Sequence, residues 1–331
     1  MWRCERSFEV RPSRLRSSVY SLLGKNIGNL HAFSLDCGLF LEERTYVPNA
    51  FAETFTTAAG LNRQDPRRRG NLLTFDHTID EVLLAGDIHG HRANLAKIIE
   101  FSALGANPGR ALVLQEIIHG PLDANGRDRS VELLAKAARL KVAYPRQVFF
   151  LLGNHDLAQV TGNEISKEGH GVCKAFAAGV EYSFGPAAEE VMPALLDFLT
   201  SMPLAIRCSN GVLLSHSLPS ATRMEKVDLT FPRRDYTNEE MSRGGMAYEW
   251  TWGRQQTPEQ LQEIARRLDV KFFVLGHRHS GNGWEKITDT AICVSSDTER
   301  GQLLQMDARQ SMAYDEMVAC LRPIIALGGL G

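Results

Sequence analysis

Paired cysteines, long apolar runs and a surplus of one charge sign are all missing from this 331-residue sequence. The six cysteines, Cys4, Cys37, Cys173, Cys208, Cys293 and Cys320, include no Cys-x-x-Cys pair. That spacing argues against a disulfide scaffold and a zinc ribbon, and the expected compartment is reduced and cytoplasmic. No run of about 18 apolar residues occurs, so no membrane span or signal-peptide core is expected. With 37 Lys and Arg against 39 Asp and Glu, the net charge of −2 lacks the basic excess of a dedicated nucleic-acid binder. Neither an internal repeat nor a low-complexity tract is present. What remains is a 44% hydrophobic chain, long enough for one large α/β domain and an extension.

Arg3, Arg6, Arg11, Arg14 and Arg16 stand among serines as in an organelle transit peptide, but Glu5 and Glu9 break that pattern. Residues 1–75 read as a loosely packed extension ending in the linker-like Asp65-Pro66-Arg67-Arg68-Arg69-Gly70. A catalytic domain follows over residues 76–310, and residues 311–331 read as a tail. Apolar runs predict strands over Glu81 to Gly86, Ala111 to Gln115 and Gln147 to Leu152, with helices near Arg92 to Phe101 and Ser130 to Leu140. That rhythm is a βαβαβ unit. A mainly helical insertion is expected over about 157–203, then a hairpin through Ser209-Asn210-Gly211. Glu259 to Leu268 reads as a helix and Lys271 to Leu275 as a buried strand. Trp284 to Ile287, Ala291 to Val294 and Gln302 to Met306 read as a closing antiparallel meander.

Oxygen and nitrogen donors recur where these strands run out. They are Asp87 and His89, Glu116, Asn154, His216 and His277. Alternate residues of extended chain share a face, so Asp87 and His89 offer a carboxylate and an imidazole together. Two divalent cations about 3.5–4 Å apart need a shared carboxylate, a place that suits Glu116. The oxygen and nitrogen mixture favours Mn²⁺, with Fe or Zn²⁺ as alternatives, over Mg²⁺. A single buried histidine is more often a hydrogen-bonded core residue than a ligand, and it is the series that singles these out. His31, His77 and His170 lack that context and read as surface or loop residues.

Taken together, Gly86-Asp87-Ile88-His89-Gly90, Gly153-Asn154-His155-Asp156, the isolated His216 and Gly276-His277-Arg278-His279 resemble the calcineurin-like metallophosphoesterases. Asn94-Leu95 extends the first motif toward the phosphoprotein-phosphatase (Ser/Thr phosphatase-like) type. The resemblance implies a two-sheet β-sandwich flanked by helices, in α/β/β/α layers, with a dinuclear centre and direct attack of a metal-bridging hydroxide on phosphorus. It also implies that His155 is the general acid and that His279 is a further ligand. Arg254, in Trp250-Thr251-Trp252-Gly253-Arg254, matches a phosphate-holding arginine.

The second motif departs from the family. Its Gly-Asp-x-Val-Asp-Arg-Gly is here Gln115-Glu116-Ile117-Ile118-His119-Gly120-Pro121. The bridging Asp is replaced by Glu116, the Asp that orients the general acid by His119, and the phosphate-clamping Arg by Gly120. Asp123, Asp128, Arg127 and Arg129 follow immediately and are the candidate substitutes for the last two roles, the arginines for the phosphate clamp. The expected substrate is a phosphorylated protein or a small-molecule phosphomonoester. A phosphodiester or dinucleoside-polyphosphate hydrolase is the enzymatic alternative, and the altered motif keeps a non-catalytic metal-binding regulatory protein in view. No feature of the sequence sets an oligomeric state.

Overall fold

The computed structural model describes residues 49–328, with 168 and 227 excepted. The arginine-rich start of the predicted extension, including Arg3 to Arg16, lies outside the described residues.

The described chain opens with helix α1 (Asn49–Arg63), whose Phe55, Ala58 and Ala59 recur at helical spacing and are fully buried. Strands β1 (Arg68–Arg69) and β2 (Leu72–Thr74) follow. Residues 49–75 are thus part of the core, which corrects the reading of them as extension and linker. The charge cluster misled because two of its arginines, Arg67 and Arg68, turn inward. Arg67 pairs with Asp65 at 2.7 Å, and the Arg68 guanidinium donates to the Gly70 and Asn62 carbonyls at 2.7 and 3.3 Å.

Next come β3 (Glu81–Asp87), α2 (Arg92–Ser102), β4 (Arg110–Gln115), α3 (Val131–Ala143) and β5 (Val148–Leu151). Their three strands run parallel, as the βαβαβ reading requires. The helical insertion consists of α4 (Asn154–Thr161), a small hairpin of β6 (Ser166–Lys167) and β7 (His170–Gly171), then α5 (Val172–Phe184) and α6 (Ala188–Thr200). Phe198 of α6 meets Phe55 of α1 with ring centroids 5.7 Å apart. The expected hairpin joins β8 (Ala205–Arg207) to β9 (Val212–Ser215), with Gly211 at φ +84°. Helices α7 (Asn238–Met241), α8 (Met246–Trp252) and α9 (Pro258–Leu268) lead to β10 (Phe272–Leu275). The chain then runs through β11 (Trp284–Thr288), β12 (Ala291–Val294), β13 (Gln302–Asp307), α10 (Tyr314–Ala319) and β14 (Leu321–Pro323).

The strands form two sheets, in the orders β14-β13-β3-β4-β5 and β1-β2-β8-β9-β10-β12-β11. Val82 and Leu84 of β3 pack with Val274, Ile292 and Val294 in the core between the sheets. Leu83 and Ala85 join the core beneath the helices. Strands buried on both faces therefore read as continuous apolar runs rather than alternating ones. The predicted closing meander does not form. β12 inserts parallel to β10, β11 flanks it, and β13 crosses to the other sheet antiparallel to β3. The tail reading is also corrected over 311–328, because β14 pairs with β13 and Ile324 and Leu327 are buried. The glycine-rich end beyond residue 328 lies outside the described residues.

Because Phe55 is wholly enclosed, Phe55→Ala should lower unfolding free energy in urea by about 3–5 kcal/mol. A loss under about 1 kcal/mol would mean that α1 is not part of the cooperative core.

Candidate metal centre

The carboxyl ends of β3, β4, β9 and β10 and the amino end of α4 meet at one cleft. Asp87 ends β3, Glu116 follows β4, Asn154 opens α4, and His216 and His277 follow β9 and β10. These five side chains are buried, and His89 is half-buried. His89, Glu116, His119 and His277 all have positive φ, between +40° and +70°, in the region that β-carbons disfavour. Residues are held in such conformations where the surrounding structure imposes them, often at sites.

Each histidine's outer partner decides which nitrogen faces inward. His89 Nδ1 lies 3.0 Å from the Ile118 carbonyl and His277 Nε2 lies 3.3 Å from the Trp252 carbonyl. A carbonyl only accepts, so both of these nitrogens carry hydrogen. Gln115 donates its amide nitrogen to the Ala85 carbonyl, which leaves its oxygen to accept from His216 Nδ1 at 3.0 Å. The opposite nitrogens therefore present lone pairs to oxygens. His277 Nδ1 is 2.6 Å and His216 Nε2 2.9 Å from Asn154 Oδ1. His216 Nε2 is also 3.3 Å from Glu116 Oε1, and His89 Nε2 is 3.4 Å from Glu116 Oε2. Lone pairs aimed at one another repel unless a cation lies among them, and outer hydrogen bonds that set the tautomer are usual for metal-binding histidines.

Ionisation tells the same story. Burial pushes Asp87 up to about 7 against the backbone N–H of His277, and burial with neighbouring Asp87 and Asp156 holds Glu116 well above the usual carboxylate range. Burial also drives His277 down to about 3 and His216 far below its ordinary value. Asp156, buried and accepting from the Gly153 N–H at 3.0 Å, is raised by burial to about 7. Neutral imidazoles beside carboxylates that resist ionisation form a donor set suited to divalent cations. Two donor triads, Asp87–Glu116–His216 and His89–Glu116–His155, share Glu116.

Glu116 fits despite its extra methylene because position 153 is glycine. A β-carbon there would lie 2.2 Å from Glu116 Cγ. Gly120 has a related constraint, since a β-carbon on it would come within 2.8 Å of Gly90 Cα. The loop therefore has no room for the arginine that the resemblance led one to expect at that position.

The cleft of about 460 Å³ is lined by Asp87, His89, Glu116, Asn154, His155, Arg254, His277, His279 and Asp297. Arg254 is exposed, with no carboxylate partner among the described residues, and its charge lowers the pKa of Asp87 and Glu116. Arg127 and Arg129 lie elsewhere, in an adjoining pocket of about 220 Å³. There Arg127 pairs with Asp123 at 3.0 Å and lies over the Tyr182 ring, while Arg129 Nε donates to Glu132 at 2.9 Å. Carboxylates close by in sequence hold both guanidiniums, so the cleft lacks the two predicted clamps. His279 stands at the rim, its side chain 69% exposed, 3.3 Å from Asp297. Asp297, Gln115, the Trp252 carbonyl and Gln159 were not singled out by sequence. Only Gln115 carried a local sign, its place beside Glu116.

The proton that competes with a cation here sits on a carboxylate. In the metal-free protein Asp87, with its raised pKa, contributes stability below its unfolded value near 4 and loses it as pH rises through about 7. Cation binding offsets that loss, and affinity for Mn²⁺ should weaken as pH falls below about 7, by up to about tenfold per unit for each proton displaced. Calorimetric titration across pH 5.5–8 measures this, and an affinity flat over that range would contradict it.

A family model described as calcineurin-like phosphoesterase matches residues 81–281, more than half of the chain. Among solved structures, a Saccharomyces cerevisiae protein serine/threonine phosphatase with similarity to human phosphatase PP5 superposes with a TM-score of 0.59 at 15% identity, covering 83% of this chain and 88% of that one. A cold-active protein-tyrosine phosphatase of a psychrophilic Shewanella species gives 0.51 at 16% identity, covering 77% and 82%. Both likenesses establish the two-sheet fold with its flanking helices. The donors enclosed at the strand ends and the match across them lead to one assignment: the chain belongs to the calcineurin-like phosphoesterases, hydrolases that act on phosphoester bonds.

Proposed function

We propose that this protein is a metal-dependent phosphatase that hydrolyses phosphomonoesters, on protein Ser/Thr or on a small molecule, by direct attack of water on phosphorus. The observation that supports it best is the convergence of six metal-type donors, His155 and Arg254 on one cleft. Asp87, His89, Glu116, Asn154, His216 and His277 are the residues suited to hold two divalent cations, Mn²⁺ by preference, with Fe or Zn²⁺ as alternatives. When bound, such a pair supplies water activation and charge neutralisation at the phosphoryl oxygens.

The protein's own groups do the rest. Glu116 spans both donor triads, so its two oxygens keep them in register. Arg254 offers a planar fork of N–H donors to two phosphoryl oxygens, a match that a lysine would not reproduce. His155 gives a proton to the departing oxygen, without which an alkoxide would have to leave as a strongly basic anion. Burial of Asp87, Glu116, His216 and His277 keeps bulk water from these charges and strengthens their interactions.

Activity on an aryl phosphate or phosphopeptide should vanish on chelation and return with Mn²⁺. Preference for a bis-aryl phosphate over the monoester would instead support the diesterase alternative. Arg254→Ala should lower kcat/KM by about 1.5–3 kcal/mol, roughly ten- to a hundredfold, while Arg127→Ala with Arg129→Ala changes it less than about threefold. Hydrolysis untouched by chelation, or insensitive to Arg254→Ala, would contradict the proposal.

A further inference from the structure

The family's orienting carboxylate is replaced by His119, yet His155 is still held. His119 Nδ1 lies 2.9 Å from His155 Nδ1, and His119 Nε2 lies 2.9 Å from Gln159 Oε1. His155 and Gln159 are four residues apart on α4, so they share one face of the helix. His119 is 1% exposed and its ring edge packs on Phe176, with centroids 5.7 Å apart. In so enclosed a place the ring nitrogens depend on protein partners rather than on bulk water.

The direction of these hydrogen bonds follows from chemistry. The amide oxygen of Gln159 only accepts, so His119 Nε2 carries hydrogen. A neutral His119 then has a lone pair at Nδ1, and the nitrogen 2.9 Å away must donate to it. That nitrogen is His155 Nδ1. We propose that Gln159 is a positioning residue for the phosphatase reaction: acting through His119, it fixes a hydrogen on His155 Nδ1 and leaves Nε2 as the nitrogen that exchanges a proton with the leaving group. The inference rests on reading His155 as the general acid.

The step balances. Water loses a proton to solvent as its oxygen bonds to phosphorus, the bond from phosphorus to the leaving oxygen breaks with its electron pair going to that oxygen, and the same oxygen takes the proton from His155 Nε2, which solvent later restores. His155 is left neutral with hydrogen on Nδ1, the tautomer that His119 accepts. The chain of two imidazoles and an amide therefore matches the state of His155 after proton transfer. It does so without the negative charge of an aspartate.

Two measurements test this. The first is ¹H–¹⁵N correlation of the imidazole rings in the metal-free protein at about pH 8, where ring tautomers are distinguishable. It should show hydrogen on Nε2 of His119 and on Nδ1 of His155. The reverse pattern, with the Gln159 amide turned to donate, would overturn the proposal whether or not the protein hydrolyses phosphate. The second compares Gln159→Leu with Gln159→Glu, which keeps an accepting oxygen. With an alkyl phosphomonoester, Gln159→Leu should cut kcat about tenfold or more and leave KM within about twofold, and Gln159→Glu should recover most of the loss. With dinitrophenyl phosphate, whose leaving oxygen needs no proton, Gln159→Leu should cost less than about threefold. Equal losses on both substrates, or none on either, would overturn the proposal. If Gln159→Leu fails to fold, the ring tautomers of the wild type decide. If the wild type cleaves neither phosphate, the phosphatase reading fails while the tautomers still decide the hydrogen-bond chain.

Discussion

A buried carboxylate facing inward-directed imidazole lone pairs is the constraint around which this structure is arranged. Glu116 lies within 3.4 Å of His89 and His216, and Asn154 Oδ1 stands between His216 and His277. The backbone N–H groups of His155 and His277 donate to Glu116 and Asp87, yet the inward nitrogens and oxygens still face one another at close range. The fold accepts their mutual repulsion because two sheets and a helix end deliver them to one place, and a pair of cations would convert the repulsion into coordination. Carbonyls of Ile118 and Trp252 and the amide of Gln115 complete the arrangement by holding each ring with its inward nitrogen unprotonated, as a metal ligand would need to be.

The residues of the altered second motif are each accommodated by neighbours in the fold. Lengthening the bridging side chain to Glu116 needs room, which Gly153 provides. Replacing an orienting carboxylate by His119 needs a new acceptor, which Gln159 provides one turn beyond His155. Losing the arginine at position 120 accompanies a close approach of Gly120 to Gly90, while Arg254 reaches the cleft from the other side. These neighbours thus keep together the parts from which phosphoester hydrolysis can be assembled, which argues against the non-catalytic reading.

What could be read from the sequence was whatever local chemistry records. The apolar runs before Asp87, Glu116, His216 and His277 mark strands buried on both faces, and a polar residue ending such a run marks a strand end. Sequence could not show strand partners, because β12 and β13 have the same apolar character whether they form a meander or join different sheets. Nor could it show that Arg67 and Arg68 turn inward, since a charge run looks solvated until its carboxylate and carbonyl partners are placed. Arg127 and Arg129 likewise lie outside the cleft, being taken by Asp123 and Glu132. Gln159 gave no sign at all, because its role exists only once His119 is folded against it.

In the proposed centre Glu116 would be shared by two cations, and electron paramagnetic resonance of the Mn²⁺-loaded protein tests this most directly. Two ions sharing one carboxylate should give a spin-coupled signal at two equivalents of Mn²⁺, and Glu116→Ala should leave only isolated Mn²⁺ lines. Isolated lines from the wild-type protein at full loading would contradict a shared carboxylate and, with it, the proposed centre.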